Sequence, residues 1–137
     1  METVEAARRW ASVWRSGWES KDTDSIVALY AADARHRSAP FREPGIGQDA
    51  VRAYLQASFD EEDDIRAWFA EPVDDGDRAA VAWWATLVEL GKEISLAGTS
   101  LIRFDAEGLV RSQWDSWNQA DGRSEPPPGW GSSEVHR

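Results

Sequence analysis

Asp115 lies between two tryptophans in the stretch RSQWDSWN. On a β-strand alternate side chains share a face, so Gln113, Asp115 and Trp117 point one way and Trp114, Ser116 and Asn118 the other. A carboxylate on an apolar face is costly unless it is paired, hydrogen-bonded or protonated. Set in a hollow among apolar groups, its affinity for protons rises and it becomes a candidate general base or acid. The plainer role for such a group is to accept a hydrogen bond from a buried donor, for example an indole N–H.

His36 alternates with Ser38 on a short extended piece, so these two also share a face. Histidine titrates near neutrality, and a His36–Asp115 pair within hydrogen-bond reach is a proton-transfer unit. A histidine stacked on Tyr54 or a tryptophan is the structural alternative. One histidine and one acid fall short of a metal site. Ser38 and Ser100 come with no GxSxG elbow, which argues against nucleophilic catalysis. The acidic run Asp60-Glu61-Glu62-Asp63-Asp64 lacks the glycine-turn spacing of a calcium loop and reads as a solvated loop. No metal and no cofactor are expected.

The elements that must position these groups follow from periodicity. Trp10, Trp14 and Trp18 recur every four residues and mark a helix over residues 3–20. Asp22 or Thr23 caps a second helix that runs to Tyr30. A short strand over 34–38 ends before Pro40, and a third helix spans about 48–58. The period then changes, giving strands over 65–72, 78–90, 92–104 and 109–118, with a tight hairpin at Gly91-Lys92 and a bulge at Gly98. Helices followed by an antiparallel meander make an α+β fold, in which three helices close a strongly curved sheet into a cone with an internal pocket. Residues 1–119 form the single domain. Residues 120–137, rich in Pro, Gly and Ser, form a tail that Trp130 can pin and in which His136 is solvated.

At 137 residues, one core is expected, burying roughly two thirds of the unfolded surface. The chain has no cysteine, which fits a reducing cytoplasmic compartment, and no apolar stretch of membrane-spanning length. Its net charge of −10 repels phosphate backbones and anionic bilayers, so neither nucleic acid nor membrane is an expected partner. Nine tryptophans are the unusual feature, and such side chains favour pockets and interfaces. Trp83 and Trp84 must point oppositely on a strand. Trp83 is assigned to the cone, and Trp84, with Trp68 and Trp114, to the outer sheet face, where three indoles predict a homodimer contact.

The residues Leu29-Tyr30-Ala31-Ala32-Asp33-Ala34, then Gly47, Val51 and Tyr54, and later Phe104 to Val110, resemble the SnoaL-like, nuclear-transport-factor-2-like superfamily. The resemblance covers about residues 3–118 and implies the cone-shaped fold of ketosteroid isomerases and polyketide cyclases, among other members. Position by position, the isomerase base falls on Ser38, its oxyanion tyrosine on Trp14 and its protonated aspartate on Ser100. The catalytic set of that enzyme is therefore not retained, because serine is no carboxylate base and indole offers only an N–H. The same resemblance places Tyr54, Trp83, Ala85, Leu87, Ile102 and Trp117 on the cavity wall beside Asp115. Arg103 and Arg111 fall on the opposite faces of their strands. The expectation is a protein that binds a small hydrophobic, aromatic or polycyclic molecule. If it is an enzyme, it is a cofactor-free isomerase, cyclase, dehydratase or hydrolase with Asp115 and His36 transferring the proton and Ser38, Ser100 and Gln113 orienting polar groups. The alternative is a non-catalytic binding or dimerisation module.

Overall fold

A computed structural model describes residues 1–132. His136 and the end of the expected tail lie outside the described residues. Helix α1 (Thr3–Ser20) buries the Trp10–Trp14–Trp18 stripe together with Ala6, Ala7 and Ala11. It stops at Lys21, which takes a left-handed conformation at φ 56°. Helix α2 (Thr23–Val27) is shorter than its sequence suggests. Asp22 caps it by accepting from the Ser25 backbone N–H, but Ala28 and Leu29 form a turn and Tyr30 joins the sheet. Gly17 lets α2 sit close, since a Cβ there would stand 2.8 Å from Ile26.

Strand β1 (Tyr30–Arg37) therefore begins four residues before the expected segment. It is followed by β2 (Gly45–Ile46), α3 (Gly47–Glu61), β3 (Glu62–Phe69), β4 (Val73–Asp75), β5 (Arg78–Glu89), β6 (Lys92–Phe104) and β7 (Val110–Asp121). The strands form one seven-stranded sheet in the order β2-β1-β7-β6-β5-β3, with β4 paired to β5. Neighbours are antiparallel except β1 and β7, which run parallel. That one pairing brings His36 beside Gln113 in register and so carries β1 to the wall that holds Asp115. The helices pack on the concave side of the sheet, and the core lies between them.

Two turn assignments are corrected. The β5–β6 hairpin turns on Leu90-Gly91, both at positive φ, because Glu89 pairs directly with Lys92. Gly98 is not a bulge: Trp83, Gly98 and Trp117 stand side by side in unbroken register. Glycine is required there because a Cβ would lie 2.3 Å from the Ser116 carbonyl oxygen and 2.6 Å from Trp117 Cβ. The acidic run is not a loop either. It spans the end of α3 and the start of β3, and Glu62 turns inward to 7% exposure.

After β7 the chain crosses the outer face of the sheet. Arg123 bonds Thr86 and Asp64, and the Trp84 N–H donates to the Ser124 carbonyl at 2.6 Å. Trp130 meets Trp84 edge to face. Trp68 lies under Arg66, while Trp114 lies under Arg37 and remains 48% exposed. No helix among the described residues is long and apolar enough to cross a membrane.

Candidate functional site

The concave face encloses a cavity of about 430 Å³. The α1 stripe forms one wall, Tyr54 and its neighbours on α3 a second, and Trp83, Ser100, Gln113, Asp115 and Trp117 the sheet wall. Arg42, Ala57, Glu61 and Gln119 border it and are exposed, so this is where it opens to solvent. The indoles of α1 continue edge to face from Trp18 onto Trp83.

Asp115 points inward, as alternation along its strand requires, and its residue exposure is 8%. Its Oδ1 accepts from Ser100 Oγ at 2.6 Å and from Gln113 Nε2 at 2.9 Å. Ser100 Oγ in turn accepts from the Trp83 indole N–H at 3.0 Å. On the other side, Gln113 Oε1 accepts from Trp10 Nε1 at 3.0 Å and from the Tyr30 hydroxyl, which itself accepts from Trp14 Nε1. The amide orientation of Gln113 is chemically fixed, because two donors converge on one end and a carboxylate on the other. Burial, with the Asp115 charge adding to it, pushes the Tyr30 phenol far above its ordinary value, so it stays a donor. The same two causes push Tyr54 up to about 12.

Asp115 Oδ2 receives no hydrogen bond from the described residues. His36 Nε2 lies 3.6 Å away, beyond hydrogen-bond length, and this buried nitrogen has no other partner. The His36 ring is packed edge-on to both Tyr30 and Tyr54. It stands behind Asp115 and does not border the cavity. One oxygen of the carboxylate is thus held by two donors, while the other faces His36 Nε2 without a hydrogen bond.

Seven of the residues singled out from sequence come together at the cavity: Asp115, Gln113, Ser100, Trp14, Tyr54, Trp83 and Trp117. Ser38 is buried nearby, its Oγ accepting from Arg42 Nη1 at 2.9 Å and its carbonyl from the Trp117 N–H at 2.6 Å. Ala85, Leu87 and Ile102 do not border the hollow. They face inward but are wholly buried, where the sheet packs against the core beyond the cavity. Arg103 and Arg111 point outward and share Asp77.

Glu62 is a site residue that sequence reasoning missed. It borders the cavity and accepts from Trp18 Nε1 at 2.9 Å. Burial raises its pKa above the ordinary 4.5, and nearby Glu89 raises it further, against the lowering effect of the Trp18 bond. The folded state therefore holds this proton more tightly than the unfolded chain does. The resulting contribution to stability is complete below pH 4.5 and is lost as pH rises from there through the raised folded value. Glu62→Gln keeps the acceptor for Trp18 and removes the ionisation. The melting temperature of this variant should gain on wild type as pH climbs through that window, and a difference independent of pH would refute the assignment.

The SnoaL-like domain family matches residues 7–113 of this sequence. The chain belongs to that family. No curated protein matches it. Among solved structures it is similar to SalBIII, an epoxide hydrolase/cyclase-like enzyme with a role in pyran ring formation in the polyether salinomycin. The identity is 17% and the TM-score 0.74, over 85% of this chain and 95% of that one. It is also similar to an NTF2-like protein of unknown function from Exiguobacterium sp. 255-15, at 19% identity and TM-score 0.69, over 82% and 98% of the two chains. A hypothetical protein with a ketosteroid isomerase-like fold from Catenulispora acidiphila DSM 44928, in complex with trimethylamine, matches at 14% identity and TM-score 0.68, over 76% and 81%. At these identities the likeness is one of fold, and the SnoaL-like cone is the frame in which the site must be read.

Proposed function

We propose that this SnoaL-like protein binds a small hydrophobic molecule in its cone and transfers a proton on it without a cofactor, with Asp115 as the base. The observation that carries the reading is the asymmetry of the Asp115 carboxylate. Oδ1 is fixed by Ser100 and Gln113, while Oδ2, on a residue that borders the cavity, accepts no hydrogen bond from the described residues and lies 3.6 Å from His36 Nε2. A base needs such a fixed geometry and a free lone pair directed at the substrate. His36, set behind Asp115, is its electrostatic partner: when protonated it stabilises the anion, and it reaches hydrogen-bond distance only if the pair closes. Ring formation, water addition and isomerisation all suit such a base, and the pyran ring formation attached to SalBIII supports the first.

The cavity reading is tested by filling the hollow. At interior packing density it takes a ligand of roughly 15–20 non-hydrogen atoms. A panel of aromatic and polycyclic compounds is screened by thermal shift against wild type and against Leu96→Trp, which thickens the wall at a residue bordering the cavity. A ligand at one hundred times its Kd stabilises the fold by about 2.7 kcal/mol. That rise is expected in wild type and should be lost in the variant. No rise with any compound, or an equal rise in both proteins, contradicts the proposal.

A homodimer through the outer sheet face belongs to the same proposal. Trp84 already packs against the chain's own Trp130, so the contact centres on Trp114 and its register neighbour Leu101, which are 48% and 45% exposed. Sedimentation should give a dimer for wild type and a monomer for Trp114→Glu. A monomeric wild type removes the interface.

A further inference from the structure

We infer that the ligand of this cavity carries a positive charge and is an aromatic-sized amine or quaternary ammonium compound. The inference rests on the cavity reading above and narrows its ligand class.

The first observation concerns what the indoles leave available. Trp10, Trp14, Trp18, Trp83 and Trp117 border the hollow, and each spends its N–H on a protein acceptor: Gln113, Tyr30, Glu62, Ser100 and the Ser38 carbonyl. These rings have no donor left for a ligand carbonyl or carboxylate. They offer hydrocarbon and π surface, whose negative faces attract cations.

The second observation is charge. Asp115, Glu62, Glu61 and Glu89 border the cavity against a single cationic side chain, Arg42, which already donates to Ser38. Glu62 and Glu89 stand opposite each other in register on β3 and β5, a like-charge pair that is unfavourable by itself. Neither they nor Glu61 has an ion-pair partner among the described residues. A carboxylate ligand would be repelled here, and a neutral one would leave the Glu62–Glu89 pair without a counter-charge. An ammonium group beside Trp18 and Glu62 relieves both costs. Asp115 remains free for its own chemistry deeper in the hollow.

The test compares three probes of one shape class by quenching of tryptophan emission in the intact protein: benzyltrimethylammonium, its carbon isostere neopentylbenzene, and phenylacetate. The ammonium should bind about ten-fold tighter than the isostere or better, and phenylacetate should not bind. The advantage should shrink in high salt and in the double variant Glu61→Gln/Glu89→Gln, which leaves Asp115 and every indole in place. Equal or tighter binding of neopentylbenzene overturns the inference while leaving the cavity a hydrophobic-ligand site. Ammonium binding that survives in Leu96→Trp also overturns it, since the probe then lies elsewhere. If none of the three probes changes the emission, the inference fails. The wider screen described above then decides separately whether the cavity reading fails too.

Discussion

Asp115→Asn should bind ligand as wild type does and turn substrate over about 10²- to 10⁴-fold more slowly, the usual contribution of a positioned general base. The substitution is close to isosteric. Its carbonyl oxygen can still accept from Ser100 and Gln113, so the wall keeps its shape, while the free lone pair that takes the proton becomes an amide N–H donor. The loss should therefore fall on kcat with KM little changed, the pattern of an interaction needed only in the transition state. Unchanged turnover on a substrate found by the ligand screen removes Asp115 from the mechanism. Weakened binding with intact kcat would make it a ligand anchor, and the protein a binding module.

The largest effect on stability is expected at Gln113. The residue is 3% exposed, and its side chain joins the two halves of the polar network, accepting from Trp10 and Tyr30 and donating to Asp115. Gln113→Leu keeps much of the volume and strands two buried donors, at about 1–3 kcal/mol each, while a buried carboxylate loses one of its donors. A total loss of about 3–5 kcal/mol follows, a large part of the stability of a domain this size. Urea unfolding measures it directly. A loss below about 1 kcal/mol would mean that water reaches these groups and that the network is not the rigid support described here.

Much of this site is legible in the sequence, because it lies on a strand. A period of two is rigid, and it alone puts Gln113, Asp115 and Trp117 on one face and Trp114 on the other. The Trp10–Trp14–Trp18 stripe was equally plain, since helical spacing assigns it to one buried side. What escaped was non-local. Tyr30 reads as the end of a helix, and only its place in the sheet beside β7 makes it the donor that holds Gln113. Glu62 sits within five consecutive acids, a pattern that normally means solvent exposure. The signal that could have found it is a count of obligations: every buried indole needs an acceptor, and Trp18 needs one near the end of its helix. Ala85, Leu87 and Ile102 show the complementary limit. The resemblance gives their inward face correctly but says nothing about how far along that face the hollow extends.

The central claim is that a ligand enters the cone and meets the open oxygen of Asp115. A crystal structure of the complex with whichever compound stabilises wild type but not Leu96→Trp tests this most directly. For a compound that carries a removable proton, the account predicts density among Trp14, Trp83 and Trp117, with that proton's heavy atom within about 3 Å of Asp115 Oδ2. Density on the outer sheet face, or a ligand in the cone whose polar atoms all avoid that carboxylate, would contradict it.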